Sequence, residues 1–260
     1  MKRRTKQFIY GGSYLSVILI IFASVFAIVH EPVLSCFDGK LNQNEEEVDC
    51  GGVCASCALK TVRPIQLGTP ETVIISAGSG SASQLLTVVE LRNPNNNFSA
   101  GPITYELGIF TQGGELIDVI TRTTILYASE VRYEIQPVSI TGATGVTVLA
   151  TTTATQWLEV EKLARPNSQI RSQREEYSPD QRTLTVTGIY KNTNTFSVRE
   201  VELHALIRDT GGSLAGVGKT LIRDLAPDEE RAFQIVLPLA VTIAPEDLAS
   251  PIISTAIRRL

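Results

Sequence analysis

Residues 85–116, LLTVVELRNPNNNFSAGPITYELGIFTQGGEL, recur in altered form at residues 183–214 as TLTVTGIYKNTNTFSVREVELHALIRDTGGSL. From Leu86 to Leu116 the two stretches align without a gap at an offset of 98 residues, and ten of the 31 aligned positions are identical. The chain is therefore predicted to contain a tandem duplication.

Both copies have the pattern of β-strands. Residues 86–91 and 184–189 alternate with period 2, which is typical of half-buried strands. Asn- and Thr-rich turns follow at 93–97 and 192–195. In each copy a second strand then runs into a pair of glycines, and glycine supplies the positive φ that tight hairpins need.

These patterns predict an all-β fold. About seven short strands fit into each 100-residue copy, as in an immunoglobulin-like β-sandwich. We place the joint near Arg165-Pro-Asn-Ser, which gives two tandem β-sandwiches at 60–165 and 166–260.

The second copy contains four further segments in order: Asn192-Thr-Asn194, Ala205-Leu-Ile-Arg-Asp209, Gly211-Gly212, and Leu225-Ala-Pro-Asp-Glu229 with Phe233. They resemble the FxLYD family of bacterial extracytoplasmic immunoglobulin-like domains, which has an N-x-[ST] turn, F-x-L-Y-D, a glycine hairpin and L-x-P-G-E. Ala205, Arg208 and Asp228 stand where that family has Phe, Tyr and Gly. The resemblance implies a spacer or binding module without known chemistry.

The N-terminus has the pattern of a membrane anchor. Residues 1–7 contain four basic residues, and the apolar stretch at 8–29 contains no charged residue. A helix of that length rises about 33 Å, enough for a bilayer core of roughly 30 Å. The positive-inside tendency then predicts a single-pass cell-membrane protein with a cytoplasmic tail at 1–7 and an extracytoplasmic remainder. A cleaved signal peptide and a lipoprotein modified at Cys36 are the alternatives.

Charge and motif spacing argue against nucleic-acid and nucleotide partners. Without the four N-terminal bases the chain has 19 Lys and Arg against 27 Asp and Glu, so it has no basic footprint for nucleic acid. Residues 216–220, GVGKT, resemble part of a P-loop. The position five before Gly218 is Ser213, however, and the surroundings are β-rich rather than βαβ.

All four cysteines, Cys36, Cys50, Cys54 and Cys57, lie in CFDGKLNQNEEEVDCGGVCASC at residues 36–57. Exported cysteines meet an oxidising setting, so we predict two disulfides in a small knot over 30–59. Three pairings are possible, and the spacing does not choose among them. A zinc site with four sulfurs is an alternative, although the paired C-x-x-C spacing is absent.

The knot also contains regularly spaced oxygen ligands. Asp38, Asn42, Glu45 and Asp49 are separated by four, three and four residues, and calcium binds six to eight oxygens. The segment resembles a bacterial cell-surface motif, C-x-D-G-x-x-N-x-x-E-x-x-x-D-C-G-G-x-C-x-x-C. Calcium is therefore a possible cofactor, with metal-free disulfides as the other interpretation.

Catalytic constellations are scarce in the sequence. Of the two histidines, His30 lies beside the apolar stretch and His204 lies within a predicted strand, remote in sequence from the cysteines. Acidic pairs such as Glu175-Glu176 and Glu229-Glu230 occur on many protein surfaces. We therefore expect no enzymatic activity.

These observations predict a membrane-anchored, extracytoplasmic scaffold or protein-binding module of the cell envelope, with an envelope protein as partner. Strand edges, sheet stacking or the loops at 93–97 and 192–195 would supply the contacts. A glycan-binding adhesin is the alternative, and an accessory of an envelope hydrolase is a further one. An adhesin would use aromatic side chains, for which the candidates are Tyr105, Phe110, Tyr127, Tyr133, Tyr177 and Tyr190.

Overall fold

The computed structural model describes residues 3–29, 36–76, 83–140, 146–152, 156–180, 182–240 and 245–259. The chain divides into two compact units, Met1–Thr61 and Val62–Leu260. The second unit consists mainly of β-strands, so the coarse prediction of a β-sheet protein with disulfides is confirmed.

The first unit begins with helix α1 (Arg3–Val29), whose side chains are described for residues 10–26. Within the described residues, no helix has both the length and the apolar character needed to cross a membrane. This finding contradicts the predicted single membrane span at 8–29, the membrane as a partner, and the predicted localisation that rested on the span.

The first repeat forms two sheets. Its strands are β1 (Gln66–Leu67), β2 (Glu71–Ser76), β3 (Ser83–Arg92), β4 (Phe98–Thr111), β5 (Leu116–Leu126), β6 (Val131–Ile140), β7 (Val146–Thr152) and β8 (Trp157–Glu159). In sheet I, β3 pairs with β1, β2 and β6; in sheet II, β4 pairs with β5, β7 and β8. All of these pairings are antiparallel.

The second repeat has the same order of strands. Its strands are β9 (Ser168–Ser178), β10 (Thr183–Asn192), β11 (Val198–Arg208), β12 (Leu214–Leu225), β13 (Glu230–Pro238) and β14 (Ile252–Arg259). In sheet III, β10 lies between β9 and β13; in sheet IV, β11 lies between β12 and β14. Strands β10 to β14 thus repeat the pairing of β3 to β7.

Each repeat has its own hydrophobic core, to which both of its sheets contribute. Val89 of sheet I and Leu107 of sheet II belong to the first core. Val186 of sheet III and Leu203 of sheet IV belong to the second. These side chains are fully buried, and such burial contributes about 1.5–3 kcal/mol for each large aliphatic residue.

A third hydrophobic cluster joins the two repeats. Sheet I contributes Val73, Val88 and Ile135 from its outer face. Sheet IV contributes Leu206 and Val217, together with Leu214, from its own outer face. The repeats are therefore stacked sheet on sheet within one compact unit.

The structure corrects the register of the sequence alignment in the first strand. Asn93 and Asn192 make equivalent hydrogen bonds, yet they differ by 99 residues rather than 98. The turn from Asn93 to Phe98 is one residue longer than the turn from Asn192 to Phe196. Because strand side chains alternate between faces, a shift of one residue exchanges the buried and outer faces of β3 in the alignment.

Candidate functional site

The structure joins the four cysteines in two disulfides, Cys36–Cys54 and Cys50–Cys57. Because every sulfur is bonded to another sulfur, none is available as a thiolate for zinc. The Glu47 carboxylate lies close to the sulfurs of Cys50 and Cys57, but those two sulfurs are bonded to each other, so neither is a thiolate ligand.

Hydrogen bonds bring the four predicted calcium ligands together. The Asp49 carboxylate accepts the backbone N–H groups of Asp38 and Gly39 at 2.9 and 3.0 Å. Asp38 Oδ2 accepts Asn42 Nδ2 at 3.0 Å, and Glu45 Oε2 accepts the Asn42 N–H at 3.2 Å. These bonds brace the turns of the knot, and Asn42 Oδ1 is buried with no hydrogen-bond partner in the part of the chain that the structure describes. Calcium binding stays a prediction, which native mass spectrometry with and without EDTA tests.

The Asn-rich turn of the first repeat is a structural element. Asn93 is 2% exposed, and its Nδ2 donates to the carbonyl oxygens of Phe98 at 2.8 Å and Tyr127 at 3.0 Å. Its Oδ1 accepts the N–H of Asn95. The side chain therefore ties the β3–β4 turn to the β5–β6 turn.

A buried glutamate completes this arrangement. The Oε2 atom of Glu130 accepts a hydrogen bond from the N–H of Tyr127 at 2.8 Å, and its Oε1 atom accepts one from Nε of Arg132. Glu130 is fully buried, and its backbone carbonyl accepts the N–H of Asn93. Glu130 was not predicted from the sequence, although Glu229 marked its position in the second copy.

The second repeat makes the same bonds. Asn192 Nδ2 donates to the carbonyls of Phe196 at 3.0 Å and Ala226 at 2.8 Å. Glu229 Oε2 accepts the N–H of Ala226 at 2.8 Å. This hydrogen bond and a second one from the Arg231 side chain lower the pKa of Glu229. Asn93 and Asn192 are thus used within the fold, which argues against these two side chains as contacts for a partner.

Asp228 occupies a left-handed backbone position, with φ of 58°, directly before Glu229. Left-handed backbone costs a residue with a Cβ more than it costs glycine, and the FxLYD pattern has glycine there. We expect Asp228→Gly to raise the free energy of unfolding by about 0.5 kcal/mol, measured by urea denaturation. Ser129→Gly, at the equivalent φ of 57° in the first repeat, should act in the same direction. A loss of stability in both variants would contradict this.

His204 is buried between the repeats rather than exposed for catalysis. Among the described residues, no partner lies within hydrogen-bonding distance of its ring nitrogens, and Nε2 lies 3.6 Å from the Glu202 carboxylate. Lys219 Nζ lies 2.8 Å from the same carboxylate. His204 and then Lys219 lower the pKa of Glu202 to about 2. The carboxylate is therefore held ionised as part of the charged network beside the interface between the repeats.

The six aromatic side chains expected of an adhesin do not form an exposed platform. Tyr105, Tyr127 and Tyr190 are buried. Phe110, Tyr133 and Tyr177 are half-buried. The Tyr105 hydroxyl lies between Glu134 and Gln136, and burial together with the Glu134 charge raises the pKa of Tyr105.

The outer face of sheet II carries exposed apolar side chains. In one row across β5, β4 and β7 lie Val119, Gly108 and Leu149. In the next row Phe110 lies beside Leu116. Among the described residues of Val62–Leu260, eight large apolar side chains are exposed, and Leu116, Val119 and Leu149 are three of them.

The equivalent face of the second repeat is covered. Leu116 and Val119 correspond to Leu214 and Val217 at the offset of 98. Val119 is 45% exposed and Leu116 is 53% exposed, whereas Val217 is 0% and Leu214 is 9% exposed against sheet I. The outer face of sheet IV packs against sheet I, whereas the equivalent outer face of sheet II is exposed. This surface was not predicted from the sequence, although Leu116 and Val119 match apolar residues in the second copy.

No family model matches the chain, and no curated protein matches it. Among solved structures it is similar to β-glucuronidase 2 of Bacteroides uniformis, covalently bound to cyclophellitol-6-carboxylate aziridine. The identity is 13% and the TM-score is 0.21, and the match covers 73% of this chain but 28% of that one. A likeness at this TM-score carries no argument about the fold or the function of this chain.

Proposed function

We propose that this chain is a non-enzymatic protein-binding module built from two tandem immunoglobulin-like β-sandwiches of FxLYD type. The sandwich assignment is supported by the two sheets that share a core in each repeat. It is also supported by the equal strand order of the two repeats. The FxLYD segments add to it through the Asn192 and Glu229 bonds, which account for two of the family's motif positions.

The observation that carries the binding function is the open outer face of sheet II. Two of its apolar residues, Leu116 and Val119, correspond to Leu214 and Val217, which are buried against another sheet in the second repeat. An exposed apolar sheet face of this kind is typical of a protein interaction surface. Protein binding is favoured over glycan binding because three of the six candidate aromatics are buried and the other three are half-buried.

Photo-crosslinking tests this function. A benzophenone amino acid is placed at Leu149 in the full chain, with the same substitution at Val236 on the outer face of sheet III as the matched control. We expect a specific protein crosslink from position 149 and a much weaker one from position 236. Equal crosslinking from both positions, or none from position 149 in the native source, would refute the proposal.

A further inference from the structure

We infer that the first repeat binds a small zwitterion of the amino-acid type, with one ammonium and one carboxylate group, in a polar cavity at one corner of its two sheets. The cavity has a volume of about 390 Å³. Its lining comes from β4, β5 and β6 of the first repeat and from sheet IV of the second. The inference concerns the inside of the first repeat, so it does not depend on the outer face of sheet II.

The second repeat shows what this corner contains when it is a hydrophobic core. Arg132 Nε donates to Glu130 Oε1 and Arg231 Nε donates to Glu229 Oε1, both at 3.1 Å, so β6 and β13 are equivalent at an offset of 99 residues. The two asparagine turns give the same offset for β3 and β10. Strands β4 and β5 pair in the same register as β11 and β12 at an offset of 98. The two cores can therefore be compared position by position.

Five apolar positions of the second core carry polar side chains in the first repeat. The equivalent pairs are Val186 and Thr87, Leu203 and Tyr105, Ile222 and Thr124, Phe233 and Glu134, and Ile235 and Gln136. Four of these polar residues, all except Thr87, line the cavity. Burial of polar groups costs free energy, and proteins keep such inconsistencies mainly at functional sites. The polar cluster therefore indicates a binding site rather than a packed core.

Hydrogen bonds join part of this cluster and leave part of it open. The Tyr105 hydroxyl donates to Glu134 Oε2 at 3.1 Å, and Gln136 Nε2 donates to the Tyr105 oxygen at 3.2 Å. Thr87 lies opposite Gln136 in the register of β3 and β6 and is 1% exposed. Within the described strands, its Oγ1 has no hydrogen-bond partner. The cluster is thus not fully satisfied by its own side chains.

The corner is open in the first repeat because β5 cannot approach β6 as closely as β12 approaches β13. A Cβ atom at Gly218 of β12 would lie 2.3 Å from the carbonyl oxygen of Val236 on β13. Ile120 and Pro137 hold the equivalent positions in the first repeat. Ile120 packs against the first core, and Pro137 lines the cavity. The space that the second repeat closes by strand contact is therefore available to a ligand.

The lining of the cavity specifies the kind of ligand. It contains equal numbers of cationic and anionic side chains, namely Arg122, Arg132, Lys219, Glu134, Glu200 and Glu202. Among the described lining residues, the aliphatic ones are limited to Pro137 and Ala256. A pocket of this volume suits a small molecule, and balanced charges favour a ligand that carries both signs. An apolar ligand would find few contacts there.

Glu134 is the side chain that suits an ammonium group. The Arg132 charge is already balanced by Glu130, whose Oε1 lies 2.8 Å from Arg132 Nη2. Glu134 Oε1 lies 3.9 Å from Arg132 Nη1, which is too long for a hydrogen bond. The carboxylate can therefore accept a further donor, and an ammonium group offers three N–H donors together with a positive charge.

Arg122 is the side chain that suits a carboxylate. It lies opposite Tyr105 in the register of β4 and β5, so both side chains are on the same face, and it is exposed. Its Nη1 donates to the Thr121 carbonyl at 2.9 Å, and the rest of the guanidinium can bind a carboxylate through two parallel hydrogen bonds. Lys219 is less suited, because its Nζ lies 2.8 Å from the Glu202 carboxylate.

Isothermal titration calorimetry of the full chain with each standard α-amino acid tests the inference. We expect at least one of them to bind with one-to-one stoichiometry. Its N-acetyl derivative, which lacks the ammonium group, and the corresponding amine, which lacks the carboxylate, should each bind about tenfold or more weakly. Glucose is the probe for a neutral polyol and should not bind.

Two variants connect the binding to the cavity. Glu134→Gln keeps the size of the side chain and removes its charge, and Arg122→Gln does the same at an exposed position where folding is not at risk. Each should raise the dissociation constant by about tenfold or more. Glu176→Gln and Arg174→Gln are the matched controls, because these exposed residues lie on the outer face of sheet III. They should leave the constant unchanged.

Circular dichroism first verifies that each variant is folded, and Arg122→Gln decides the result if Glu134→Gln is not. The inference is overturned if no amino acid binds, or if an amino acid binds equally well to the chain and to both cavity variants. It is also overturned if glucose or the N-acetyl derivative binds as tightly as the amino acid. None of these results affects the crosslink expected from position 149, so the proposed protein-binding function is tested separately.

Discussion

Asn93→Ala should lower the free energy of unfolding by about 4 kcal/mol. The side chain bonds the buried turn to the carbonyls of Phe98 and Tyr127 and to the N–H of Asn95. Each buried group that loses its partner costs about 1–3 kcal/mol. Urea denaturation followed by circular dichroism measures the change.

The same turn offers a matched control. Asn96 and Asn97 have the same side chain but are exposed, so Asn96→Ala should change the stability by less than about 0.5 kcal/mol. If Asn93→Ala and Asn96→Ala had equally small effects, the turn would not have the structural role described above. Binding of a partner should not be affected by Asn96→Ala, because the docking face lies on sheet II.

Gly218→Ala should destabilise the second repeat by about 3 kcal/mol or more. A Cβ atom at Gly218 would lie 2.3 Å from the carbonyl oxygen of Val236, on the neighbouring strand β13. Because that atom belongs to the backbone, the strand itself has to move, and overpacking of this kind costs about 1–3 kcal/mol or more. Thermal unfolding measures the loss.

Gly113→Ala is the control for this substitution. The nearest atom to a Cβ at Gly113 is Thr111 Oγ1 at 3.6 Å, an ordinary contact, so we expect a change of less than about 0.5 kcal/mol. Unchanged stability of Gly218→Ala would contradict the close approach of β12 and β13. The close packing at Gly218 also explains why the GVGKT segment has a glycine there, with no need for a bound nucleotide.

The sequence predicted the β-strands and the duplication because alternation and turn residues are local signals. It did not predict that Asn93 is equivalent to Asn192. The turn after Asn93 is one residue longer than the turn after Asn192, and chance identities such as Leu86 with Leu184 hid this difference in the alignment. The disulfide pairing could not be predicted either, because three pairings fit the same cysteine spacing.

The sequence contains a signal for the stacking of the two repeats that was not used in the predictions. Residues 85–89, LLTVV, are apolar at neighbouring positions rather than strictly alternating, which indicates a strand buried on both faces. In the structure Leu85 lies in the core of the first repeat, and Val88 lies in the cluster between the repeats. The open face of sheet II could not be predicted, because exposure depends on which faces find a partner.

Hydroxyl-radical footprinting tests the central claim, that the outer face of sheet II is a docking surface, most directly. The full chain is labelled in its native complex and again after dilution as a purified protein, and the modification of each peptide is compared. We expect peptides containing Phe110, Leu116 and Leu149 to be protected in the complex, while the peptide containing Val236 is modified equally in both samples. Equal modification of the sheet II peptides in both samples would contradict it.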